Sequence, residues 1–137
     1  MKINSIDGRN PERVFDACRY TCRHFAEKQM DAIEISGNVF DFPDTRINPY
    51  RESVLRDYAA QIAADVDIPI ILVGLNRSCA TMTEILNATN IRYFSLSRPL
   101  IREPNVINLW QQNPAYAPQC ISCNQCFRPD GNTCIFS

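Results

Sequence analysis

Within the α/β class, this sequence predicts four parallel β/α units, half of an eightfold (β/α) barrel. Three observations carry that expectation. Strand-like apolar runs alternate with helical patterns through short loops, the order that builds a parallel sheet. The third run, residues 68–74, is nearly all Ile, Leu and Val, as in a strand covered on both faces. Strand alternation also gives two neighbouring strands a polar face: Ile33 and Ile35 point one way and Ala32, Glu34 and Ser36 the other, while Lys2 and Asn4 share a face opposite Ile3. Polar inner faces are usual beneath a barrel's active-site mouth and odd in a simple sheet, although a small open sheet of the same four units is the alternative. Lys2 and Glu34 are placed to pair, either in a site or as a structural ion pair.

The elements follow in chain order. Residues 2–6 form the first strand. Asn10 and Pro11 open the first helix, Asn as cap and Pro in the first turn, with Val14, Cys18, Cys22 and Phe25 on its buried face. Residues 31–36 are the second strand, closed by Gly37 and Asn38. A loop over 39–48 carries Asp41, Pro43 and Asp44. Asn48 and Pro49 start the second helix as Asn10 and Pro11 start the first, with Val54, Leu55, Tyr58, Ala59, Ile62 and Val66 inward. After the third strand, Ser78 caps a shorter helix that turns Met82, Ile85 and Leu86 inward. Residues 91–96 are the fourth strand. Pro99 and Pro104 begin two more helical turns, the second containing Leu109 and Trp110. The chain thus divides into a β/α region, 1–112, and a Pro- and Cys-rich tail of little periodicity, 113–137.

Composition narrows the function classes. The 137 residues have the length of one domain, and their 45% hydrophobic content is ordinary for a packed core. A net charge of −1 offers no electrostatic case for nucleic acid or an anionic membrane. The opening residues lack the apolar run of a signal peptide, and no stretch approaches the roughly 20 apolar residues of a membrane span. A cytoplasmic protein is expected, with its seven cysteines as thiols or metal ligands rather than disulfides. No G-x-G-x-x-G is present, so a nicotinamide-binding Rossmann unit is not expected.

Two motifs carry chemistry. The third and fourth strands open into Gly74-Leu75-Asn76-Arg77 and Ser97-Arg98-Pro99. In a (β/α) barrel the loops after the last two strands commonly hold a phosphate, helped by a short extra helix. A small residue lets the backbone approach, and an arginine supplies forked donors, roles that Gly74 and Arg98 fit. The second motif is Cys120-Ile-Ser-Cys123-Asn-Gln-Cys126 followed by Cys134. Consecutive C-x2-C spacings let one loop wrap an iron–sulfur cube, with a fourth ligand from further along. Zinc, which more often sits between two separated knuckles, and unmetallated thiols are the alternatives. Cys18 and Cys22 lie on an apolar stripe and read as core. His24 falls off that stripe and reads as exposed. Cys79 follows the Ser78 cap, a place where a helix N-terminus can lower a thiol pKa.

Three stretches together, Asp31-Ala-Ile-Glu-Ile-Ser-Gly-Asn38, Ile68-Pro-Ile-Ile-Leu-Val-Gly74 and Tyr93-Phe-Ser-Leu-Ser-Arg-Pro-Leu-Ile-Arg-Glu-Pro104, resemble the C-terminal half of the NADH:flavin oxidoreductase family, the old yellow enzyme group. The likeness runs from about residue 2 to the end. It implies half of a TIM (β/α)8 barrel whose strands are the family's fifth to eighth. It also implies an FMN cofactor, with NAD(P)H and a small-molecule acceptor as partners. Lys2 matches a basic residue beside the flavin pyrimidine, where a cation stabilises reduced flavin. Gly74 with Leu75 matches the phosphate loop after strand seven, and Ser97 with Arg98 the pair that holds the FMN phosphate after strand eight. The sequence departs from many relatives in having Leu75 in place of a second glycine and Ser97 in place of glycine or alanine. The tail resembles the dienoyl-CoA reductase branch, which carries a [4Fe–4S] cluster on four cysteines. That implies Cys120, Cys123, Cys126 and Cys134 as ligands, although the later spacings are shorter here.

The family's flavin-bed residues, its His/Asn substrate clamp and its tyrosine proton donor match nothing in this chain. A truncated or split FMN-dependent NAD(P)H:flavin oxidoreductase is therefore expected, inactive alone, with no catalytic residue assigned. A small metal-binding or electron-carrying module and a non-catalytic barrel fragment are the alternatives. Four open strands leave two unpaired edges, so a homodimer or a complementing N-terminal half-barrel is the expected partner.

Overall fold

The computed structural model describes residues 1–7, 10–38, 51–129 and 131–136. Four parallel strands, β1 (Lys2–Asn4), β2 (Ile33–Ser36), β3 (Ile70–Leu72) and β4 (Tyr93–Phe94), pair in sequential order. The helices are α1 (Pro11–Glu27), α2 (Arg56–Asp65), α3 (Cys79–Ala88), α4 (Arg98–Arg102) and α5 (Val106–Gln112). Beyond them β5 (Phe127–Arg128) and β6 (Gly131–Asn132) form a small antiparallel hairpin, which the aperiodic tail sequence does not announce. The mixed α/β class and the parallel sheet agree with the sequence expectation.

Register explains the two faces. Ile3, Ile35, Leu72 and Phe94 lie side by side across the sheet, and the row beside them is Lys2, Glu34, Ile71 and Tyr93. The first row packs into one core with Cys18 and Cys22 of α1, Ala59, Ile62 and Ala63 of α2 and Ile85 of α3. Burying each of its larger aliphatic side chains is worth roughly 1.5–3 kcal/mol. The second row is less covered: Tyr93 is 58% exposed, and Lys2 Nζ meets Glu34 Oε1 at 3.0 Å. One covered face and one open polar face are compatible with half a barrel. The short ladders are extended by flanking backbone bonds, such as Ser5 N–H to the Ser36 carbonyl at 2.7 Å and Ser95 N–H to the Leu72 carbonyl at 2.9 Å.

The helix starts follow local chemistry. Asn10 caps α1 by accepting from Arg13 N–H, and Ser78 caps α3 by accepting from Thr81 N–H, both at 3.3 Å. The Ser78 hydroxyl also donates to Glu52 Oε2 at 2.7 Å. Arg19 and Arg23 of α1 both hold Asp65 at the end of α2, with N–O distances of 2.7 and 3.0 Å. Burial works against ionising Asp65, but its hydrogen bond and charge pairing with Arg19, joined by Arg23, hold its carboxyl below the ordinary value.

Some local expectations change. The second helix begins at Arg56, so Val54 and Leu55 are core residues of the preceding turn; the Asn48–Pro49 start and the loop residues Asp41, Pro43 and Asp44 lie outside the described residues. Leu86 is 40% exposed, because α3 turns Ile85 rather than its neighbour to the sheet. Cys18 and Cys22 are core residues as expected, their sulfurs 4.0 Å apart. The shared hydrogen bond and burial push the Cys18 thiol up. Burial also pushes the Cys79 thiol up, the opposite of an activated cysteine. His24 is exposed, near Glu27.

Candidate functional site

The site lies where β2, β3 and β4 end, the end at which (β/α) folds place their chemistry. Gly74 stands at φ +108 and Leu75 at φ +61. A β-carbon on Gly74 would come within 3.1 Å of Leu55 Cγ, so both the conformation and the packing ask for glycine. Leu75 shares the left-handed region, which explains why a second glycine suits this position. The Gly74 carbonyl accepts from Val54 N–H at 3.1 Å, which ties the loop to the chain before α2.

Asn76 fixes the two loops to each other. It is buried; its amide donates to the carbonyls of Leu72 at 2.7 Å and Ser95 at 3.1 Å, while its oxygen accepts from the Ser53 hydroxyl at 2.9 Å. One side chain thus clamps the ends of β3 and β4 and the segment before α2. Sequence reasoning passed over it, although a polar residue two positions past a strand-ending glycine is a recognisable signal.

These loops form a cleft of about 200 Å³ lined by Lys2, Gly74, Leu75, Ser97 and Arg98 among others. All five residues expected at the cofactor therefore face one cavity, although they come from three separate parts of the chain. The space and the two cations suit an anionic group. Lys2 lies at the rim, its ammonium held by Glu34 rather than standing alone. Arg98 opens α4 and is partly buried. Burial pushes its guanidinium down, while the sulfurs of Cys120 and Cys126 push it back up. It remains a cation, as arginine does in proteins.

Cys120, Cys123, Cys126 and Cys134 line a second cavity, and Arg98 is in its wall too. Three arginines hold this loop. Arg77 donates to the Cys120 carbonyl at 2.9 Å, Arg98 Nη1 donates to Asn124 Oδ1, and Arg102 donates to Gln119 Oε1 at 3.1 Å. Arg102 also lies over the Phe136 ring, 5.9 Å from its centroid. Ser122 and Asn124 adopt φ of +55 and +63, the left-handed turns that let the loop coil back. Buried Glu103 anchors the chain leading into the loop: Tyr116 O–H donates to one carboxylate oxygen and Gln119 N–H to the other, the latter at 2.5 Å. The bond to Glu103 raises the Tyr116 pKa. Trp110 Nε1–H donates to the Tyr116 carbonyl at 3.0 Å.

The cysteine cavity is small. At about 20 Å³ it has room for about one water. Among the described residues no three His, Cys, Asp or Glu side chains form a group that could hold a metal ion. The donor chemistry suits a sulfur-ligated centre, but in this conformation the space does not fit an iron–sulfur cube. Among the described residues no helix is long and apolar enough to cross a membrane.

The sequence matches no protein-family model. Among curated proteins, a 4,4'-dithiodibutanoate disulfide reductase of Rhodococcus erythropolis is 27% identical over 78 residues, which are 57% of this chain and 19% of that protein. The chain is thus a distant relative of an oxidoreductase, and the match spans about a fifth of that relative's length.

Proposed function

We propose that this chain contributes the phosphate and pyrimidine side of an FMN site in an NAD(P)H-dependent oxidoreductase. The observation that carries the reading is the convergence of Lys2, Gly74, Leu75, Ser97 and Arg98 on one cleft. Gly74 lets the loop that lines the cleft turn through the left-handed region above Leu55, and Arg98 offers forked donors to a phosphate. Lys2 provides a cation at the far rim, its charge tempered by Glu34. FMN would supply two-electron transfer from the nicotinamide. The relative's name points to an organic disulfide as acceptor class. Such a disulfide takes two electrons and two protons to give two thiols. Cys120, Cys123, Cys126 and Cys134 are candidate ligands of a [4Fe–4S] cluster or of zinc by their spacing alone, since the described side chains form no group that could hold a metal ion.

An absorption spectrum tests the reading. The protein is prepared anaerobically with FMN, iron and sulfide, then freed of unbound reagents. Retained flavin peaks support the proposal. A broad visible shoulder without flavin favours a small metal-binding or electron-carrying module instead. A blank spectrum rejects both.

A further inference from the structure

Arg98 lines both the anion cleft and the cysteine cavity. Among the described residues its hydrogen-bond acceptor is Asn124 Oδ1, on Nη1, which leaves its other donors for an anion. Asn124 lies within the cysteine loop at φ +63, and that loop is held in turn by Arg77 through the Cys120 carbonyl. The guanidinium is therefore set by a residue 26 positions further along the chain, not by its own loop.

We propose that Asn124 is a positioning residue of the anion cleft: it fixes the Arg98 guanidinium in the wall between the two cavities, ready for a phosphate-bearing ligand. The inference rests on the reading of the cleft as an FMN phosphate site. A long arginine side chain loses rotamer freedom when it grips a ligand, and one already held loses less. The order of the cysteine loop thereby sets phosphate affinity, whatever the cysteines bind.

The test uses the full chain, titrated with FMN and with riboflavin and followed by flavin fluorescence. Asn124→Gly is the informative variant, because glycine accepts the left-handed turn while the acceptor oxygen is lost. Circular dichroism checks that its fold is kept, and Gln125→Ala serves as the neighbouring control. Asn124→Gly is expected to weaken FMN binding about fivefold and leave riboflavin unchanged. Equal FMN affinity in variant and wild type overturns the proposal, as does an equal loss for both ligands, which is a packing defect. Tighter FMN binding also overturns it, showing that Asn124 competes with the phosphate. If the wild type itself binds FMN no better than riboflavin, the phosphate reading of the cleft fails, and this inference fails with it.

Discussion

At the scale of single residues, both the backbone conformation and the packing at Gly74 resist change. Gly74→Ala places a β-carbon 3.1 Å from Leu55 in a conformation that L-residues rarely adopt. A loss of about 1–3 kcal/mol is expected, read as a lower denaturant midpoint with an unchanged slope. Asp65 gives a second test. Its folded carboxyl titrates below the ordinary value of 3.8, so its stabilising contribution is complete above that value and disappears as pH falls through the depressed one. Asp65→Asn should therefore melt lower than wild type at neutral pH, with the gap closing in acid; a gap that persists or widens toward low pH would contradict the role given to Arg19 and Arg23. Gly74 and Arg98 were legible in the sequence because each sits just past an apolar strand, where a loop motif can be read locally. Asn76, Glu103 and Asn124 were not, because their partners lie elsewhere in the chain: Ser53 for Asn76, Tyr116 and Gln119 for Glu103, and Arg98 for Asn124.

At the scale of elements, strands and helix caps were the readable part. Asn10 and Ser78 announce α1 and α3, and the apolar runs announce β2 and β3. The exposed Leu86 shows the limit, since an apolar residue beside a stripe looks like part of it until a neighbour is in place. The hairpin of β5 and β6 was invisible for a different reason: each strand is two residues long, too short for any period. The tail is held through Glu103, Trp110 and the three arginines rather than by a core of its own. Glu103→Ala removes both acceptors and leaves Tyr116 O–H and Gln119 N–H without their partner, at a local cost of about 1–3 kcal/mol. Amide exchange across residues 113–136 should accelerate while that of β2 and β3 stays as slow as in wild type. Equal acceleration in both regions would mean that the tail and the sheet open together.

At the scale of the whole molecule, we propose that a partner covers the open row of Lys2, Glu34, Ile71 and Tyr93 and the edges that β1 and β4 leave among the described residues. We expect a homodimer, or a complex with a unit that supplies further strands, seen as a concentration-dependent mass in solution scattering. A monodisperse monomer at every concentration would count against it. The half-barrel expected from the sequence is compatible with a sheet that packs one face under helices and leaves the other more open, but closure is a property of strands that four cannot supply. The sequential order of the strands has one more consequence. Because each strand pairs only with its neighbours in the chain, another β/α unit can join beyond β1 or beyond β4 without breaking an existing pair. The sheet is extensible in the way a repeat array is, and two copies joined in tandem are a direct route to eight strands.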